Sequence, residues 1–224
     1  RVRAATRLTL GRTAGANSVT ATAAGLTGSP VTFRATGTAG PATQMAKVSG
    51  DGQSGQVGTL LPQAVVVEIK DTNGNAVLGH PVQFTVEAGG TLSVATANTD
   101  AAGRASTRWT LGPAGGAQRV AATSAGLAGS PAMFTAMATA ATATSVTLVS
   151  GTPQTGRAGA PLAQPFVVVI RDANQNPVSG FSVGFAVSAG GGTLSALAVV
   201  TAQNGTASAT LTLGRTVGSN TVIC

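Results

Sequence analysis

Leu8-Thr9-Leu10-Gly11, Trp109-Thr110-Leu111-Gly112 and Leu211-Thr212-Leu213-Gly214 are one motif written three times, 101 and then 102 residues apart. Gly28-Ser29-Pro30 returns as Gly129-Ser130-Pro131, and Asp71-Thr72-Asn73-Gly74-Asn75 as Asp172-Ala173-Asn174-Gln175-Asn176. A period the size of a domain means tandem copies of one module, and it places function in the array before any single pocket. A unit of roughly 100 residues buries its own core without metal or disulfide. That suits a chain whose one cysteine, Cys224, can form no intrachain bridge.

Composition narrows the class. Charged residues are 8% of the chain, against about 25% in ordinary soluble domains, so Thr, Ser, Asn, Gln, Gly and Ala must build the surface. The net charge is +7, from 13 basic residues that are scattered apart from a mild cluster at Arg1, Arg3, Arg7 and Arg12. Nucleic-acid binding calls for a dense basic patch and stacking aromatics; aromatics are 3% and Tyr is absent, so that class is set aside. No apolar run approaches the ~20 residues of a bilayer span, so no membrane insertion is expected in this segment. Nothing resembles a signal peptide, and with Arg at residue 1 the start is expected to be processed or excised.

The copy from about Thr43 to Ala138 reads as a complete unit. Strands are expected at Gln44–Ser49, Ala64–Lys70, Pro81–Glu87, Thr91–Ala95, Arg104–Leu111, Gln118–Ser124 and Ala132–Ala138, with a further short one within the Gly-rich loop at 50–62. Asp71 to Asn75 is turn chemistry, since Asx side chains fold onto their own backbone and Asn-Gly tolerates positive φ. In Pro81–Glu87, Val82, Phe84 and Val86 share one face, and a one-residue slip would turn all three outward. The third copy keeps the phase with Phe181, Val183, Phe185 and Val187, and Ala207, Ala209, Leu211 and Leu213 match Ala105, Thr107, Trp109 and Leu111. The expected core includes Val67, Phe84, Val86, Trp109, Leu111, Phe185, Leu211 and Leu213.

Seven to eight short strands per unit, with turns every 8–12 residues, predict an all-β fold of tandem Greek-key β-sandwiches. The boundaries fall at 1–38 (the C-terminal part of one repeat), 43–138 (a complete repeat) and 145–224 (a repeat lacking its last strand). The joints at 36–42 and 139–144 are too short to be free linkers, which favours a rod.

Residues 67–86, from Val67-Glu68-Ile69-Lys70-Asp71 through Pro81-Val82-Gln83-Phe84-Thr85-Val86, resemble the signature of bacterial Ig-like domains (group 1) of the invasin/intimin type. So do Gly89-Gly90-Thr91-Leu92-Ser93 and Thr99-Asp100-Ala101-Ala102-Gly103-Arg104-Ala105, echoed by Asp172 to Gly180 and Gly192-Thr193-Leu194-Ser195. Two departures, Gln175 for the turn glycine and Ala202-Gln203-Asn204-Gly205 for Asp-Ala-Ala-Gly, are expected to change turns and leave the core alone. The resemblance implies an Ig-like sandwich used as stalk and spacer in secreted or surface bacterial adhesins. It carries over no catalytic residue.

The residues themselves offer little chemistry. His80 is the only histidine and its strand phase points it outward; the six acids include no sequence-close pair suited to general acid–base work. No catalytic residue, cofactor or enzyme activity is therefore expected. Asp71, Asn73 and Asn75 copy the start of a calcium loop and are weak metal candidates. The twelfth position of such a loop needs a bidentate Glu, and here it is Val82. Trp109 reads as core because its counterparts are Leu8 and Leu211, and Cys224 falls on the inward phase of its strand.

The two end copies read as complementary pieces. Val31, Thr32, Phe33, Arg34, Ala35, Thr36 and Gly37 are the candidate self-association strand, able to complete the last repeat of another chain head to tail. The expected function is a non-catalytic stalk or extracellular fibre. The alternative is an adhesin module whose end loops bind a host receptor or glycan.

Overall fold

A computed structural model describes residues 3–224, and these contain strands and turns with no α-helix. They gather into two compact units. One comprises the described residues up to Gln53, with Leu60–Thr110 and Arg119–Ala136; the other comprises Ser54–Thr59, Leu111–Gln118 and Met137–Cys224. Arg1 and Val2, and with them the first member of the basic cluster, lie outside the described residues.

Chain order begins with β1 (Gly15–Ala21) and β2 (Val31–Gly37), an antiparallel hairpin with Gly15 opposite Gly37 and Ala21 opposite Val31. The central copy supplies β3 (Ala42–Ser49), β4 (Gln53–Gln56), β5 (Val65–Asp71), β6 (Pro81–Ala88), β7 (Thr91–Leu92) and β8 (Thr96–Asn98). It continues with β9 (Arg104–Thr107), β10 (Trp109–Thr110), β11 (Gly116–Thr123) and β12 (Ala132–Thr139). One sheet runs β3-β5-β9, a second β4-β12-β11-β6-β8, and β7 pairs with β10.

Strict alternation makes β5. Val65, Val67, Ile69 and Asp71 point inward and are at most 1% exposed, whereas Val66, Glu68 and Lys70 are half-buried. The same period therefore carries a carboxylate, Asp71, to the buried side at the strand's end. In the other unit, β13 (Ala143–Ser150) and β14 (Phe166–Asp172) repeat the arrangement, with Val168, Ile170 and Asp172 buried. The strands that follow are β15 (Ser182–Gly184), β16 (Ala186–Ala189), β17 (Thr193–Leu194), β18 (Ala198–Val200), β19 (Thr206–Ala209), β20 (Leu211–Thr212) and β21 (Thr221–Ile223). Here one sheet runs β13-β14-β19, and β15 pairs with β18, β16 with β21 and β17 with β20. Val168, Ile170, Val183, Phe185, Ala207 and Ala209 form its core, with Val178, Leu194, Val199 and Val222 packed against them.

Several expectations shift in detail. The strand expected at Arg104–Leu111 changes sheets at Arg108: β9 pairs with β5 and β10 with β7. Ser93 holds the crossover, donating its N–H to Arg108 O and accepting the Arg108 N–H on Oγ, each at 2.9 Å. The copy at Leu8–Gly11 forms no strand, and Leu8 and Leu10 are 48% and 40% exposed. Its counterparts pair with β7 and β17, and among the described residues it has no such partner. Phe181, expected inward, is 44% exposed because it precedes β15, where Thr201 ties its backbone. Cys224, expected inward, is exposed at the end of β21, which pairs with β16 alone among the described residues.

Two glycines fix how closely the strands approach. Ile69 and Ile170 donate their N–H groups to Gly103 O and Gly205 O at 2.7 and 2.8 Å. Both glycines have φ of +73°, and a Cβ on Gly103 would lie 2.6 Å from Ile69 O. Replacing Gly103 with Ala therefore adds left-handed strain of about 1–2 kcal/mol to an overpacking cost of about 1–3 kcal/mol. Gly126→Ala carries only the strain, since its Cβ would meet nothing within 4 Å. Urea midpoints of the two variants should separate accordingly, with Gly103→Ala the less stable.

Candidate functional site: a repeated Asp–Asn clasp

Asp71 ends β5 with its carboxylate buried, and such a group is tolerated only where donors surround it. Four do. Oδ1 accepts the N–H groups of Asn73 and Asn75, both at 2.8 Å. Oδ2 accepts Gly40 N–H at 2.8 Å and Asn75 Nδ2 at 2.9 Å. The second Nδ2 proton of Asn75 goes to Arg12 O at 2.8 Å, and its Oδ1 accepts Ala14 N–H at 2.8 Å. These partners fix the orientation of the amide, because exchanging O and N would set like against like at every contact. The turn thus reaches residues 61 and 63 positions earlier, which the repeat alignment assigns to the preceding copy.

The arrangement recurs with every position moved by 101, as 172 − 71 shows. Asp172 Oδ1 accepts Asn174 and Asn176 N–H at 2.9 and 2.8 Å; Oδ2 accepts Ala141 N–H and Asn176 Nδ2, both at 2.9 Å. Asn176 Nδ2 donates to Pro113 O at 2.8 Å, and its Oδ1 accepts Gly115 N–H at 2.7 Å. Gln118, 3% exposed, shapes that loop by accepting Gly112 N–H at 2.8 Å and donating to Ala114 O at 2.7 Å.

Gln175 corrects a sequence-based expectation. It does not change the turn: its φ is 67°, beside 83° for Gly74, and its N–H bonds to Asp172 O as Gly74 N–H bonds to Asp71 O. Arg171 Nη1 secures it, donating to Gln175 O at 2.7 Å.

The electrostatics follow from the donors. The Asn75 amide, with the Gly40, Asn75 and Asn73 N–H groups, outweighs desolvation and holds the Asp71 carboxyl down from 3.8 to about 2. Burial pushes Asp172 up, but the Asn176 amide and its three backbone donors prevail, and its pKa is lowered. A carboxylate whose acceptor sites all face N–H groups also has no lone pair directed at a cation. That argues against a calcium role for Asp71, Asn73 and Asn75. Among the described residues no three His, Cys, Asp or Glu side chains could hold a metal ion.

No protein-family model matches the sequence, and neither does any curated protein. Solved structures do. The chain aligns over 93% of its length with 68% of FdeC, an Escherichia coli adhesin, at 22% identity and a TM-score of 0.55. It aligns over 93% with 42% of invasin, a bacterial integrin-binding protein, at 22% identity and a TM-score of 0.53. The fold is that of invasin-type Ig-like domains. The chain spans less than half of the invasin chain it matches.

Within this invasin-type fold the remaining candidates are dispersed. Val31 to Gly37 form β2, paired with β1, and Val31 and Phe33 are 50% and 61% exposed. Beside them lies an apolar groove of about 690 Å³ that includes Ala5, Leu8, Val19 and Phe33. Val67, Phe84, Trp109, Leu111, Phe185 and Leu211 are buried, and Val86 and Leu213 are half-buried. Trp109 Nε1 is buried without a hydrogen-bond partner. His80, read from strand phase as outward, is half-buried with Nε2 2.8 Å from Ser124 Oγ.

The reach of Asn75 and Asn176 is what the sequence reading missed. A faint signal existed: a hairpin turn needs its left-handed residue more than its last Asn, yet the copies keep the Asn and change the Gly. A titration followed by NMR should find Asp71 still ionised at about pH 3, where ordinary carboxyls are largely protonated. Because its folded pKa is depressed, the stability it contributes is complete above 3.8 and is lost as pH falls through about 2. Asn75→Ala should raise the Asp71 pKa toward 3.8.

Proposed function

We propose that the chain is a non-catalytic structural segment of a bacterial surface protein, an extended stalk or fibre built from Ig-like repeats at 1–38, 43–138 and 145–224. The observation that carries this reading is the clasp, found twice at one period's spacing. Each clasp ties the turn after a repeat's second long strand to a loop of the repeat before it and to the connector leading into its own repeat. Three hydrogen bonds linking two side chains to the preceding loop and the connector, braced by three more within the turn, restrict a joint far more than a short Gly- and Ala-containing connector does alone. A stalk needs that restriction, because length without stiffness does not project.

The likeness in fold to FdeC and invasin, named as an adhesin and an integrin-binding protein, supports placing the segment at the cell surface. Their names also favour a second reading, a binding module that contacts a host receptor or glycan through loops at one domain end. A glycan array probed with the full chain separates the two: reproducible, saturable binding supports the module, and its absence the spacer.

Joint stiffness is measurable. With Cys224→Ser, spin labels at Thr32→Cys and Thr85→Cys, both exposed, straddle the first clasp. Pulsed electron resonance should give a narrow distance distribution that broadens severalfold on Asn75→Ala. An equally narrow distribution in both proteins would remove the clasp from the account.

A further inference from the structure

The clasp hydrogen-bonds its partner segment only through backbone atoms. At the first site these are Arg12 O, Ala14 N and Gly40 N; at the second, Pro113 O, Gly115 N and Ala141 N. The residue types differ at every one of the three positions, while the hydrogen-bond lengths stay within 2.7–2.9 Å. Where one copy has Gly the other has Ala, in both directions. A Cβ on Gly40 or Gly115 would come no nearer than 3.4 Å to the clasping Asp or Asn oxygen. Arg12 and Pro113 share nothing but a carbonyl, and Pro could not have served had the site required an N–H there.

We infer that the Asp–Asn clasp is a docking surface that reads main-chain shape and no side chain. Its partner is the loop of any preceding repeat together with the connector into its own repeat, whatever residues those segments carry. The inference rests on the reading of the clasps as joints between repeats, and it deepens that reading. A joint indifferent to its neighbour's sequence lets copies be added, lost or diverge without redesign, because each new copy brings its own Asp and Asn. It also explains why the copies differ at the recognised positions while Asp71 and Asn75 are matched by Asp172 and Asn176.

The test exchanges the two partner segments within the full chain. Arg12→Pro, Ala14→Gly and Gly40→Ala give the first site the second site's partner; Pro113→Arg, Gly115→Ala and Ala141→Gly do the reverse. Amide hydrogen exchange is read at residues 14, 40, 115 and 141. The inference expects protection within about twofold of the parent at all four positions in both triple variants. It also expects a loss of at least tenfold at 14 in Asn75→Ala and at 115 in Asn176→Ala, whose N–H groups these side chains accept. If a triple variant loses protection as the Asn variants do, the joint reads side chains and the inference fails, with the stalk reading intact. If the Asn variants keep full protection, the clasp does not hold the joint and both readings fail. Because Arg12→Pro alters backbone freedom, Ala14→Gly with Gly40→Ala is measured separately. Loss of protection there overturns the inference on its own.

Discussion

The structure turns on a carboxylate that the strand period forces inside. β5 alternates without interruption, and β14, although Val169 is buried as well, keeps Val168, Ile170 and Asp172 on one buried phase, so the residue ending each strand inherits the phase of the valines and isoleucine before it. A buried charge must be met by donors or become neutral. Asp71 and Asp172 are met by four N–H donors each. Two come from the turn backbone, and one from an Asn whose own amide is completed only by a segment of the preceding copy. The last is a backbone N–H in the lead-in to the Asp's own copy. The donors that meet the buried charge thus reach back to residue 40, and the Asn among them is held by backbone at residues 12 and 14.

Much of the fold was legible in the residues because it depends on neighbours in sequence. Val82 and Phe84 alternate with Pro81, Gln83 and Thr85, and β6 buries the first pair as period two requires. The turn at Asp71–Asn75 was equally local. What failed to show depends on distant partners. The break at Arg108 is set by Ser93, fifteen residues away. Leu8 to Gly11 carries a strand's sequence, but a strand is defined by its neighbour and none is present among the described residues. The clasp was hidden for the same reason: its partners lie 61 and 63 positions away, and they are backbone atoms, which leave no mark on a sequence.

Two of the chain's few ionisable groups are taken up by the clasps. Charged residues are 8% of the chain, with one histidine. Of the six acids, Asp71 and Asp172 serve the clasps, while Asp51 and Glu68 pair with Lys47 and Lys70. The invasin-type fold offers a module that repeats. The two Asp–Asn pairs each bond a turn to backbone 61 and 63 residues earlier, the contact on which the proposed stalk rests.

Scalar coupling across a hydrogen bond reports the bond itself, without a mutation. In protein labelled with nitrogen-15 and carbon-13, the central claim predicts coupling from Gly40 N to the Asp71 carboxyl carbon and from Ala141 N to that of Asp172. Both should be present at neutral pH, and the Gly40–Asp71 coupling should persist at pH 3. Absence of both couplings, with the amides of residues 40 and 141 exchanging like free coil, would contradict the account.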